Sequence, residues 1–142
     1  MKLKRHIITF ILITQSSVAY SQADMSFNLI CKGTTNIGRY KENYRYYFIV
    51  DLTNRKYCKN KCLNIEKISK IENEYITFQE STKEESDSTI IQKEVVNRNT
   101  GSHFWSWDEK RYGLDTGVFS MTGFGFCEKS KFTGFPSSGR KF

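Results

Sequence analysis

The stretch YRYYFIVDL, residues 44–52, carries the clearest alternation in the chain. Tyr44, Tyr46, Phe48, Val50 and Leu52 share one parity, and Arg45, Tyr47, Ile49 and Asp51 the other. A period of two over nine residues predicts a β-strand with one aromatic and aliphatic face. The second parity is only half polar, which suits a strand partly covered on both sides.

The same period recurs outward from this strand. Upstream, Phe27, Leu29 and Cys31 alternate with Asn28, Ile30 and Lys32, predicting a first strand that stops at Gly33. Residues 34–43 are polar with Gly38 and predict a loop. Downstream, Thr53 and Asn54 mark a turn into Cys58 and Cys62. Ile65, Ile68, Ile71 and Tyr75 recur at three and four, as on a helix face, but Asn64, Asn73 and the β-branched isoleucines weaken helix propensity. A short strand and turn is the favoured reading there. Residues 75–79 predict a strand with Ile76 and Phe78 inward, and ESTKEESDS, residues 80–88, a solvated hairpin loop. Strands follow at 90–96, 102–107 and 118–127, separated by the turn at 97–101 and a loop at 109–117. Gly123 and Gly125 suggest a bend or bulge in the last strand. About seven short strands with little helix predict a mainly β fold, a small antiparallel β-barrel or sandwich.

The N-terminus fixes the expected compartment. Lys2, Lys4 and Arg5 precede an apolar run from Ile7 to Ile13, and the small residues Ser21 and Ala23 follow. That order predicts a signal peptide over residues 1–23, leaving residues 24–142 as one exported β domain, periplasmic or secreted. The run is far short of the roughly 20 residues of a membrane span, so no stable membrane insertion is expected after cleavage. No cysteine follows it at a lipidation position. Three of the 22 basic and none of the 15 acidic residues lie in the leader, so the formal charge falls from +7 to +4. That excess is too small and dispersed to predict a nucleic-acid partner.

All four cysteines lie in the mature part. An even count in a small exported domain predicts two disulfides. Three connectivities are open, and the preferred one joins Cys58 to Cys62 and Cys31 to Cys127, stapling the first strand to the last. The longer bridge closes a loop of about 97 residues, worth on the order of 4–5 kcal/mol in the chain-entropy model. A zinc site built from these sulfurs and His103 would lack a second close ligand pair, so no metal and no cofactor are expected. Cys58 and Cys62 are one residue too far apart for a thioredoxin-like pair.

The candidate ligand-binding stretch is His103-Phe104-Trp105-Ser106-Trp107. On a strand, His103, Trp105 and Trp107 share a face, and Lys110, Arg111 and Tyr112 follow. Flat aromatic faces beside cations suit a sugar ring or an anionic ligand, and two indoles equally suit a core or a barrel cap. His103 is the one histidine left after cleavage, so any histidine-based hydrolysis of RNA or glycan must run through it. No serine has a nucleophile-elbow context. Glu84 with Glu85 and Asp108 with Glu109 read as solvated loop neighbours. Gly123-Phe124-Gly125 lacks the lysine and helix of a phosphate cradle. No catalytic residues are therefore assigned.

Several short motifs come in order along the mature chain. These are Phe27 with Cys31, Gly33 and Thr34; Val50-Asp51-Leu52; Tyr57-Cys58 then Cys62; Val96-Asn97-Arg98 with Thr100-Gly101; Cys127; and the Phe132-Thr133-Gly134-Phe135-Pro136 tail. The series resembles a group of small exported proteobacterial proteins without an assigned activity. The resemblance implies export, disulfides and a β fold, and implies nothing about chemistry. Small exported inhibitors of lytic enzymes share this size and disulfide count, an analogy of general character. The leading expectation is a non-catalytic binding domain for an envelope component, a small amphipathic molecule or another protein. The alternatives are a secreted hydrolase using His103 and a structural envelope protein without a pocket.

Overall fold

The computed structural model describes residues 25–113 and 117–136; the predicted leader, its cleavage site and the basic end of the tail lie outside them. Nine strands form one antiparallel sheet: β1 (Ser26–Ile37), β2 (Tyr40–Asp51), β3 (Lys56–Lys59), β4 (Glu66–Lys67), β5 (Lys70–Ile71), β6 (Tyr75–Glu84), β7 (Ser88–Asn97), β8 (Ser102–Arg111) and β9 (Gly117–Ser130). Their order is β4-β3-β2-β1-β9-β8-β7-β6-β5, and the sheet curls into a half-barrel. No helix occurs among the described residues, and none is long and apolar enough to cross a membrane.

The mainly β class agrees with the sequence, but the strands number nine rather than seven and run longer than predicted. Residues 34–43 are strand on both sides of a two-residue hairpin turn at Gly38 and Arg39, not a loop. Gly38 sits at φ 58°, where a side chain would be strained. Most of ESTKEESDS belongs to β6, with the turn confined to residues 85–87. A polar stretch can still be strand when both faces meet water. Between Leu63 and Tyr75 lie the short strands β4 and β5 with turns, in line with the favoured reading of strand and turn over helix.

β4 and β5 stand at opposite ends of the strand order, yet only Ile68 and Ser69 separate them in sequence. The Ile68 amide donates to the Arg55 carbonyl (2.9 Å) and the Ser69 amide to the Phe78 carbonyl (3.3 Å). The two edges are thereby drawn together, and Ile68 is wholly buried. Beneath it Phe48 of β2 stacks on Phe78 of β6 at 4.7 Å, with Tyr57, Val50 and Ile76 around them. Phe78 occupies a register shift between Thr77 and Gln79, so it points inward without breaking the pairing of β7.

Cys31 and Cys127 face each other directly across β1 and β9 and are disulfide-bonded; Cys58 bonds Cys62. These are bonds that an oxidising compartment forms.

Candidate functional site

Inward positions of β2, β3, β7 and β8 build a polar string inside the half-barrel. Lys59 Nζ lies 2.7 Å from Glu94 Oε1, and the same oxygen lies 3.2 Å from His103 Nε2. On the other side of the ring, Nδ1 lies 2.8 Å from the Tyr44 hydroxyl. In the neutral tautomer, Tyr44 donates to Nδ1 and Nε2–H donates to the carboxylate. Lys59 Nζ also sits 3.8 Å from the centre of the Tyr46 ring, which stacks on Tyr44 at 4.7 Å.

Burial penalises the charge on Glu94, but the hydrogen bond from His103 and the ammonium of Lys59 overcome it and hold the carboxyl below its ordinary value. Burial, then the neighbouring Tyr46 and Glu94, push the Tyr44 hydroxyl up to about 12. Burial and Glu94 raise Tyr46 as well. Tyr44 therefore keeps its proton at neutral pH.

Three glycines explain how so many rings fit. The Tyr44 hydroxyl lies 2.6 Å from where a Cβ would stand on either Gly33 or Gly125. The Trp105 indole nitrogen would lie 2.0 Å from a Cβ on Gly123. The register of β9 runs unbroken through Gly123 and Gly125, so the strand carries no bulge there. These glycines make room for Tyr44 and Trp105 instead.

The sequence placed His103, Trp105 and Trp107 on one face, and so does the structure: they oppose Gly125, Gly123 and Met121 in turn. His103 is wholly covered. Trp105 and Trp107 are half-buried and line a cavity of about 170 Å³ with Tyr46, Lys59, Glu94 and Met121. Gln79 and Gln92, hydrogen-bonded to each other, close another side. Lys110, Arg111 and Tyr112 lie beyond it at the end of β8. Lys110 is exposed, Arg111 pairs with Glu109 (2.8 Å), and the Tyr112 hydroxyl meets Thr89 (2.9 Å).

Lys59, Glu94, Tyr44, Tyr46, Gln79 and Gln92 were not legible as site residues. The available signal was a charge or amide on an inward parity: Glu94 stands two residues before Val96, and Lys59 two after Tyr57. Gln79 gave no signal, because the register shift at Phe78 turns it inward.

The sulfurs of Cys31 and Cys127 and the His103 ring lie within 4.8 Å of one another, the donor types of a soft-metal site. Here the sulfurs are joined, so neither offers a thiolate to a metal. No protein family matches this chain, and no similar curated protein or solved structure was found, so the chemistry of the site rests on its own residues.

Proposed function

We propose that the protein is an exported, non-catalytic binding module that takes one saccharide ring of an envelope glycan into the cleft beside Trp105 and Trp107. The observation that carries this is two half-exposed indoles facing a fixed row of hydrogen-bonding groups, Lys59, Glu94, Gln79 and Gln92. An indole face suits the C–H face of a pyranose, and the paired charges and amides suit its hydroxyls. The row is held by its own internal bonds before any ligand arrives, which lowers the ordering cost of binding. A cavity of about 170 Å³ is below the roughly 300 Å³ of a drug-sized pocket, so one ring enters and the rest of the glycan stays outside.

The hydrolase reading has less support. His103 has no exposed side chain, and both ring nitrogens are engaged by Tyr44 and Glu94. A substrate atom would find no free nitrogen within hydrogen-bond reach.

Trp105 and Trp107 are the chain's two tryptophans, so emission reports on the cleft alone. Titration with N-acetylglucosamine oligomers and muropeptides should give a saturable change and protect the indoles from iodide. Trp107→Ala should weaken binding by about tenfold or more, with an unchanged far-UV spectrum. Absence of saturable binding to these fragments, by both fluorescence and calorimetry, would reject the proposal.

A further inference from the structure

A second and larger cavity, about 710 Å³, opens at the other end of the half-barrel. Strand lengths produce it. β8 begins only at Ser102, paired with Phe126, whereas β9 continues to Ser130 along β1. The Cys127 amide still bonds the Gly101 carbonyl (2.8 Å), just outside β8, but the last four residues of β9 have no β8 partner. A bowl is left between β1 and β9 on one side and β6 and β7 on the other. Along β9, Gly125 and Gly123 separate this bowl, which Cys127 lines, from the aromatic cleft at Met121.

The floor of the bowl is apolar: Phe27, Leu29, Ile76 and Val96. Its rim carries Arg98 and Lys129 among the side-chain amides of Asn73, Asn97 and Asn99, and among the described residues no acidic one lines it. Arg98 is fixed over the opening, with its amide donating to the Glu74 carbonyl (2.7 Å) and Nη1 to the Glu72 carbonyl (3.1 Å). Lys129 lies 4.6 Å from the centre of the Phe27 ring, bridging floor and rim. Both cations thus sit where apolar floor meets water. Cationic groups at the margin of an apolar concavity favour a molecule with a greasy body and a negative end.

We propose that this bowl binds a single-chain amphipathic anion, a fatty-acid carboxylate. Its alkyl chain would lie on Phe27, Leu29, Ile76 and Val96, and its head at Arg98 and Lys129. The volume falls within the range of roughly 300–1,000 Å³ typical of ligand pockets. This site is independent of the saccharide cleft, and the failure of either leaves the other standing.

Calorimetric titration of the mature protein with laurate, dodecanol and dodecyltrimethylammonium, all kept below micelle formation, tests it. Laurate should bind saturably at one site, and the neutral and cationic chains about tenfold or more weakly. Arg98→Glu combined with Lys129→Glu should weaken laurate by a similar factor while leaving the tryptophan response to saccharide unchanged. Both side chains are on the surface, so the fold should survive. Phe124→Ser with Phe126→Ser, which removes the exposed aromatic patch on the outer face, should leave laurate binding as it was. The proposal is overturned if laurate does not bind, if dodecanol binds equally well, if the charge-reversed protein keeps its affinity, or if the outer-face variant loses it.

Discussion

Glu94 is the most consequential single side chain. It is 4 % exposed and shares one oxygen between Lys59 and His103. Removing one partner of a buried pair costs more than the pair is worth, because the other charge stays behind. Lys59 keeps about a third of its surface in water, which softens that cost. Glu94→Gln should therefore lose about 2 kcal/mol at pH 7, read from urea unfolding. The folded carboxyl lies below its ordinary 4.5, so its contribution is present above that pH and lost as pH falls through the depressed folded value. The wild type should lose stability on acidification in that window, and the variant should show a flatter profile. Equal acid sensitivity in the two proteins would contradict this assignment.

At the scale of elements, alternation revealed most of the sheet and its aromatic inner face, because a buried parity must be apolar wherever strands pack. It failed where burial was absent. Residues 40–43 of β2 and 80–84 of β6 are exposed on both parities and read as loops. It also failed at the register shift in β6, where one extra residue exchanges the faces and brings Gln79 into the cleft. The indole and histidine face was legible from spacing alone, while the space that the glycines opposite it leave for rings was not. Their role depends on which rings cross from β2 and β8, and one strand's sequence does not contain that. The preferred disulfide pairing was legible from position in the chain and proved correct. Cys31 and Cys127 are 96 residues apart in sequence, whereas Cys58 and Cys62 are four apart. Replacing the first pair with alanine should cost on the order of 4–5 kcal/mol and replacing the second about 2 kcal/mol, in the chain-entropy model. Thermal melts of the two double variants check the order; a larger loss from the short loop would refute it.

For the whole molecule, the decisive side chain is at neither cavity. Ile68 is wholly buried at the two-residue link that draws β4 and β5 together. Ile68→Ala should destabilise by about 2–5 kcal/mol through the void it leaves, measured as a shift in denaturation midpoint. A loss below about 1 kcal/mol would mean the closure does not depend on this contact.

That link works as a clasp. Severing the peptide between Ile68 and Ser69 would free both margins of the sheet and bare the backbone donors and acceptors of Tyr57 and Ile76 to the nearest strand of another molecule. In a nicked chain the half-barrel would open into a tile with two borders able to pair with the strands of other molecules.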